Sequence, residues 1–379
     1  MTLAVRALEK AYSGEPEVID RFLAAHDFPL QESTTTTFAF RGPADEVRLR
    51  HWIFGLESSL AFTRLAGSDL WYLVLELPEL SRVEYKLEVV RDGSSDWILD
   101  PLNPLLANDP FGANSVYQGV GYETPEWTAP DEEAREGTLD EVSVASAAFG
   151  QDRRLGVYLP ARFRKSRRYP VLVVHDGADY LRYAGLKTVL DNLVYRLEIP
   201  EMIVALTDSS DRLSEYTAAA NHDRFIGEEV PAVLEKTFPI DPDPSSWGLM
   251  GASLGAVATL SAAWRRPGRF GKLLLQSGSF VFTDIGDRNW RGEQWDDVVS
   301  FMNAFREAPG RPAESLFVSC GIYESLIYEN RSLLPILQAT GMDVRYVEAR
   351  DGHNWENWRD RLRVGLSWLF PGPLWMVYE

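Results

Sequence analysis

This chain of 379 residues is poor in the features from which disulfides and membrane spans are built. Its single cysteine, Cys320, excludes a disulfide within the chain and fits a reducing compartment. No apolar run reaches the length of about 18 residues that a membrane-spanning helix requires. Residues 1–6 lack the apolar core of a secretory signal. The sequence therefore predicts a cytoplasmic protein.

Histidine and positive charge are also scarce. The five histidines are scattered, and none stands at a zinc-binding spacing, so the sequence predicts no metal and no cofactor. Lys and Arg number 38 against 56 Asp and Glu, which gives a formal net charge of −18. This charge disfavours nucleic acid and anionic membranes as partners. A small molecule remains as the expected partner, and the oligomeric state is left open.

The chain divides into regions of different patterning. Residues 1–33 predict a helical lead-in with one short helix over 18–25, and residues 34–104 predict a small β-sandwich, because apolar and charged residues alternate there as in Val83 to Val89. A connector rich in Pro and Gly follows over 105–137. Residues 138–379 predict an α/β catalytic domain.

A G-x-S-x-G box, Gly251 to Gly255, is the most informative motif. A short apolar run precedes it, and an Ala- and Leu-rich segment without a breaker follows it. This order predicts the strained strand-to-helix turn called a nucleophile elbow, in which Ser253 is exposed and the Leu254 N–H lies beside it. The alternative is a glycine-rich turn that contains a serine by chance.

His353 is the only histidine after Ser253, and it lies in a loop between strand-like and helix-like sequence. An α/β-hydrolase triad runs in the order Ser, acid, His, so this position predicts the general base. The alternative is a loop histidine that caps the last helix.

Glu324 is the predicted acid, since it follows the strand-like segment Leu316–Cys320. Its carboxylate would accept the Nδ1–H of His353 and stabilise the imidazolium. The alternatives are a surface role for Glu324 with Asp284 or Asp351 as the acid, or no acid at all. Asp351 is only two residues from His353, which makes the required approach awkward.

The apolar run Tyr169–Val174 predicts a parallel strand buried on both faces, and it ends in the turn His175–Asp179. A glycine turn at that end of a strand can aim a backbone N–H at a developing oxyanion. An ordinary βα turn is the alternative.

Six short motifs occur together in one order: Asp176-Gly177-Ala178, Arg212 with Glu215, Gly251–Gly255, Gln276–Ser279, Gly321–Glu324 and Asp351–His353. Through them residues 138–370 resemble the enterochelin (enterobactin) esterases and the broader esterase D-like α/β-hydrolases. The resemblance implies Ser253 as nucleophile, His353 as base and Glu324 as acid. It implies the N–H groups of Leu254 and Ala178 as the two oxyanion donors. Some members rely on a Ser–His dyad, so the requirement for Glu324 stays open.

The N-terminal third is similar to the N-terminal domain of these esterases and, more loosely, to the sandwich modules called CBM48 in glycan-active enzymes. The fold that this resemblance implies is an α/β-hydrolase domain preceded by an all-β, immunoglobulin-like sandwich. In the esterase family the sandwich would serve as a wall over the active site.

The resemblance implies a serine esterase that cleaves a siderophore trilactone, with a ferric siderophore as substrate. Because such a substrate is anionic, a local cationic pocket would have to override the charge of −18. Arg212 is the predicted substrate-binding residue, with Arg182, Arg224 or Arg331 beside it. A carbohydrate esterase for feruloyl or acetyl groups and a broad-specificity esterase are alternatives. A binding protein on an inactive hydrolase scaffold is a third, although the presence of both Ser253 and His353 argues against it.

Overall fold

The computed structural model describes residues 2–283 and 292–373. It divides into two compact units. The first unit contains the described residues up to Glu123 together with two later segments, Gly321–Glu324 and Ala349–Asn354. The second unit contains the remaining described residues. The segments that carry Glu324 and His353 thus belong with the N-terminal part of the chain.

The first unit begins with two helices, α1 (Ala4–Ala11) and α2 (Pro16–Ala24), the second of which starts on the proline favoured at that position. Ten strands follow: β1 (Leu30–Glu32), β2 (Thr35–Arg41), β3 (Glu46–His51), β4 (Ser59–Ala61), β5 (Thr63–Arg64), β6 (Leu70–Glu76), β7 (Arg82–Arg91), β8 (Ser94–Ile98), β9 (Leu106–Asp109) and β10 (Gly112–Gln118).

These strands form two antiparallel sheets. One has the order β1-β2-β6-β5, and the other has the order β4-β3-β7-β10-β9 with β8 also paired to β7. Phe38 and Trp71 of the first sheet and Val47, Tyr85 and Tyr117 of the second share one buried core. Because a common core joins their inner faces, the two sheets form a sandwich. Strand β7 buries the alternating apolar residues that predicted it.

The strands continue beyond residue 104, into the segment that the sequence predicts as a connector. Pro110 lies in the turn between β9 and β10, where the Phe111 N–H donates to Asp109 Oδ1 at 2.7 Å. Proline and aspartate favour such turns as strongly as they favour linkers, so composition alone does not distinguish the two. Helix α1 is a further difference, since the sequence predicts only the helix near α2.

The second unit contains one eight-stranded sheet of order β11-β12-β14-β13-β15-β16-β17-β18. The strand bounds are β11 (Thr138–Ser146), β12 (Gln151–Leu159), β13 (Val171–His175), β14 (Ile203–Thr207), β15 (Trp247–Ala252), β16 (Lys272–Gln276), β17 (Ser315–Gly321) and β18 (Asp343–Ala349). Strands β11 and β12 are antiparallel to their neighbours, whereas β14, β13, β15, β16 and β17 pair in parallel.

Helices follow most of these strands: α3 (Gly177–Tyr183), α4 (Leu186–Tyr195), α5 (Arg212–Glu215), α6 (Ala220–Arg224), α7 (Val230–Thr237), α8 (Leu254–Arg265), α9 (Asp296–Glu307), α10 (Ile327–Ala339) and α11 (Trp355–Leu369). None of the helices within the described ranges is long and apolar enough to cross a membrane.

The sheet is covered on both faces, which explains its continuous apolar strands. Along β13, Val171 and Val173 belong to one buried cluster, and Leu172 and Val174 belong to another. Helix α8 contributes to the first cluster and α11 to the second. Trp355 and Trp358 of α11 are buried in the second cluster and Trp368 packs against it, whereas Trp375 lies outside the described residues.

Candidate active site

Ser253 occupies the turn between β15 and α8. Its backbone has φ +58° and ψ −121°, a conformation that is strained for any residue with a Cβ atom. The two box glycines allow this turn, because a Cβ on Gly251 would lie 2.3 Å from the Gly255 carbonyl oxygen. A Cβ on Gly255 would lie 3.3 Å from atoms of His175 and Asp176. The sequence box therefore folds as a strand, a strained serine and a helix.

The surroundings of Ser253 come from the segment Gln276–Ser279 and from the start of α8. Its N–H donates to the Gln276 carbonyl at 2.9 Å, and its carbonyl accepts from the Ser279 N–H at 3.1 Å. Its Oγ lies 3.2 Å from Ser279 Oγ. Leu254 is the first residue of α8, so its N–H is among those without an acceptor inside the helix. Such an N–H can donate to an oxyanion formed at Ser253.

Ser279 was not assigned a role from the sequence, although it belongs to the fourth of the motifs quoted above. Its neighbours anchor α11, since Trp358 Nε1 donates to Ser277 Oγ at 2.9 Å and Gln276 Nε2 donates to the Trp358 carbonyl at 2.8 Å. Its place in the Gln276–Ser279 motif is the sequence signal that could have identified Ser279.

The predicted oxyanion turn follows β13. Asp176 has φ +54°, and a Cβ on Gly177 would lie 2.4 Å from Leu206 Cβ, so only glycine fits there. The Ala178 N–H donates to Asp208 Oδ1 at 3.1 Å. The N–H that the family resemblance assigns to the substrate thus has a carboxylate acceptor in this structure.

Arg212 holds this same turn. Its Nε and Nη2 donate to the two carboxylate oxygens of Asp176 at 2.9 and 2.8 Å. Burial raises the pKa of Asp176, and the Arg212 charge opposes that rise. Arg212 keeps 43% of its side chain exposed. Of the other arginines considered above, Arg331 pairs with Glu348 and Arg224 pairs with Glu228.

A buried pair of histidines lies behind the turn. His175 Nε2 is 3.0 Å from His222 Nε2, and His175 Nδ1 is 3.1 Å from the Met250 carbonyl of β15. Burial, followed by the charge of His222, holds the pKa of His175 well below its usual range. A neutral His175 thus links the end of β13 to β15, a role that sequence patterns do not reveal.

Glu324 and His353 are brought together within the first unit. His353 Nδ1 lies 2.5 Å from Glu324 Oε2, and Glu324 Oε1 accepts from the Gly321 N–H at 2.6 Å. The Glu324 side chain is 2% exposed and that of His353 is 36% exposed. With the proton held on Nδ1, Nε2 is the acceptor nitrogen of the ring, as a general base requires.

The rival acids differ in their surroundings. Asp351 Oδ1 accepts from the Gly352 N–H at 2.7 Å and from Asn354 Nδ2 at 2.8 Å. It also pairs with Arg82. These bonds join Asp351 to its own loop and to β7, whereas Glu324 bonds His353 directly. Asp284 lies outside the described residues. Within the described ranges, no group of three or more His, Cys, Asp or Glu side chains could hold a metal ion.

Comparisons of sequence match this chain to esterases. A family profile described as "Putative esterase" matches residues 146–369. An iron(III) enterobactin esterase from Dickeya dadantii is 26% identical over 364 aligned residues, which cover 82% of this chain and 79% of that protein.

Solved structures show the same fold. An enterobactin esterase from Shigella flexneri has a TM-score of 0.72 at 22% identity, over 88% of this chain and 92% of that one. A ferulic acid esterase has a TM-score of 0.54 at 18% identity, over 63% of this chain and 98% of that one. The predicted fold class, an all-β region followed by an α/β domain, is confirmed.

Proposed function

Because this chain belongs to that esterase family and is a carboxylic-ester hydrolase, we propose that it cleaves its substrate through an acyl-enzyme formed on Ser253. Ser253 Oγ attacks the ester carbonyl while His353 Nε2 takes the hydroxyl proton. His353 then gives this proton to the departing alkoxide. A water molecule, deprotonated by His353, attacks the acyl group, and the acid is released as Ser253 regains its proton.

Glu324 and the backbone donors complete the proposal. Glu324 keeps the proton of His353 on Nδ1 and stabilises the imidazolium. The Leu254 and Ala178 N–H groups stabilise the tetrahedral oxyanion, and Ala178 does so after Asp208 has given up its hydrogen bond. In subtilisin, removing one oxyanion-hole donor, the side chain of an asparagine, costs about 100- to 1,000-fold in kcat.

The observation that carries the proposal is the strained backbone of Ser253 at the β15–α8 turn. Strain of this kind costs about 1–3 kcal/mol and persists where function requires it. Further support comes from the Glu324–His353 bond. These two residues follow β17 and β18, and both strands come after β15 and β16 in the order of the sheet.

For the substrate, we propose a siderophore trilactone of aromatic acyl-serine units. The support is the extent of the similarity, because the D. dadantii protein named an iron(III) enterobactin esterase aligns over 82% of this chain. The ferulic acid esterase aligns over 63%. A feruloyl ester is accordingly the second candidate, supported by the shared fold alone.

A substrate panel tests both levels of the proposal. Purified protein is incubated with a cyclic trilactone of 2,3-dihydroxybenzoyl-serine (with and without Fe³⁺), methyl ferulate and p-nitrophenyl acetate. Products are separated by chromatography, and Ser253→Ala is run in parallel. We expect the highest kcat/KM on the trilactone. A fluorophosphonate probe should label the wild-type protein and should not label Ser253→Ala. Turnover that survives in Ser253→Ala contradicts the mechanism, whereas a preference for methyl ferulate contradicts only the substrate.

A further inference from the structure

Arg82, the first residue of β7, has a side chain that is 0% exposed. Its Nη1 donates to Asp351 Oδ1 at 3.3 Å and to Asn354 Oδ1 at 3.0 Å, while Nη2 donates to Glu84 Oε1 at 3.0 Å. Asp351 and Asn354 flank the segment that carries His353. One guanidinium from the sandwich therefore bonds the His353 loop on both sides of the histidine.

The preceding residue, Ser81, bonds the other loop. Its Oγ lies 2.5 Å from the hydroxyl of Tyr323, which is adjacent to Glu324. Both Ser81 and Tyr323 are buried. Two consecutive sandwich residues thus contact the two loops from which Glu324 and His353 meet.

Backbone hydrogen bonds connect the same three segments. The Arg82 N–H donates to the Arg350 carbonyl at 2.8 Å. The Tyr323 N–H donates to the Asp351 carbonyl at 3.1 Å, and the Ile322 N–H donates to the Ala349 carbonyl at 2.8 Å. The loops are consequently bonded to each other as well as to β7.

A buried arginine is a costly way to fill this space. Buried ion pairs are often no more stable than well-packed apolar residues of similar volume, because both charges lose their hydration. Unlike an apolar residue, arginine forms directional hydrogen bonds. Its planar guanidinium fork sets the angle as well as the distance at which the bonded partners lie. The advantage of Arg82 at this place is therefore geometric.

We propose that Ser81 and Arg82 are positioning residues that hold the Glu324–His353 pair in its reactive geometry. This inference rests on the proposed function, in which His353 is the base. A displacement of about 1 Å in a catalytic group can cost about 100-fold in rate. The sandwich would then act on the chemical step itself, in addition to the wall that the family resemblance implies.

Four variants of the full chain test this inference. Arg82→Met removes the fork, and Arg82→Lys keeps the charge but not the fork. Ser81→Ala and Tyr323→Phe each remove one hydroxyl and leave the packing almost intact. Two variants serve as matched controls: Arg50→Met breaks the Arg50–Glu88 ion pair of the same unit, and Tyr85→Phe removes the buried bond from Tyr85 to Asp100. Neither control touches the two loops through these bonds.

Turnover of p-nitrophenyl acetate is the first readout. We expect Arg82→Met to lower kcat by about 10- to 100-fold with little change in KM, and Arg82→Lys to fall between it and wild type. Tyr323→Phe and Ser81→Ala should lower kcat several-fold, and both controls should retain it. Equal kcat losses in Arg82→Met and Arg50→Met at equal melting temperature would overturn the inference, and so would a wild-type kcat in Arg82→Met.

The second readout needs no substrate. The Nδ1 proton shared by His353 and Glu324 should give a low-field proton NMR signal, assigned by its loss in His353→Asn. We expect this signal to weaken or vanish in Arg82→Met and to persist in Arg50→Met. An unchanged signal in Arg82→Met contradicts the positioning role. Because this readout is independent of turnover, an inactive wild type would contradict the proposed function and leave the test of Arg82 valid.

Discussion

At residue scale, the backbone of Ser253 gives a test of the nucleophile that separates activity from stability. Alanine at 253 keeps the Cβ and its strain, while glycine is unstrained at φ +58°. We expect both variants to lose turnover by about 10⁶-fold, as triad serines do. Ser253→Gly should nevertheless unfold at a higher temperature than Ser253→Ala, by an amount that corresponds to about 1 kcal/mol. Melting curves and single-turnover assays measure the two effects, and activity above about one hundredth of wild type would exclude Ser253 as the nucleophile.

Glu324 separates a triad from a dyad. In Glu324→Gln one of the two carboxylate oxygens becomes an NH₂ group, although both accept hydrogen bonds, from Gly321 N–H and from His353 Nδ1–H. We expect kcat to fall by about 10²- to 10⁴-fold. The kcat of Asp351→Asn should fall less, because the amide oxygen can still accept a hydrogen bond from Arg82. A lower steady-state kcat for Asp351→Asn than for Glu324→Gln would identify Asp351 as the acid in place of Glu324.

Asp351 also gives a prediction about pH. Burial raises its pKa to about 6, and the Arg82 charge opposes this rise. In the unfolded chain an aspartate has a pKa of about 3.9, so the folded state binds the proton more tightly. The stabilisation from protonated Asp351 is therefore present below about pH 4 and is lost as the pH rises through about 6, by at most about 3 kcal/mol.

Asp351→Asn removes this titration. The melting temperature of Asp351→Asn minus that of wild type should increase between about pH 4 and pH 7. Thermal scans of both proteins across this range measure it. A difference that stays constant with pH would show that Asp351 has no raised pKa in the folded state.

At the scale of elements, the β15–α8 turn ranks two glycines that are equivalent in the sequence box. An added Cβ at Gly251 would lie 2.3 Å from a backbone oxygen, whereas at Gly255 the nearest atoms are 3.3 Å away. Overpacking typically costs about 1–3 kcal/mol and more where backbone must move. We expect Gly251→Ala to lose both soluble yield and activity, and Gly255→Ala to remain folded with a modest loss. Equal melting temperatures for the two variants would contradict the geometry of the turn.

The elements that could be predicted are those with local signals. The elbow and β7 follow from glycine placement and from alternating polarity, and both are present. Strands β9 and β10 were missed because proline and aspartate mark turns and linkers alike. The hydrogen bond from Ala178 to Asp208 could not be predicted either, since these residues lie on different βα turns.

At the scale of the whole molecule, the net charge of −18 predicts a salt dependence that differs between substrates. The Debye length falls from about 30 Å at 0.01 M salt to about 8 Å at 0.15 M, so added salt screens the repulsion of an anionic ester. We expect kcat/KM for an ester that bears a carboxylate to rise about 2- to 10-fold over this range, while that for neutral p-nitrophenyl acetate stays constant. A fall for the anionic ester would indicate a dominant local cationic site around Arg212.

The sequence did not reveal which residues far apart in the chain contact each other. The order of Ser253, Glu324 and His353 could be predicted because each follows a strand-like segment, and Glu324 and His353 share a hydrogen bond. The partners of Arg82 leave no such pattern, because Asp351 lies 269 residues later in the chain. A charged residue at the start of an alternating strand predicts solvent exposure, and here it is fully buried.

That separation along the chain has a consequence for biosynthesis. The ribosome makes the strands of the sandwich long before it makes Tyr323, Asp351 and Asn354, the later side-chain partners of Ser81 and Arg82. This end of β7 can form its hydrogen bonds to residues 349–354 only after those residues have been made. If Ser81 and Arg82 do hold the Glu324–His353 pair, maturation of the first unit and acquisition of activity become a single late event in translation.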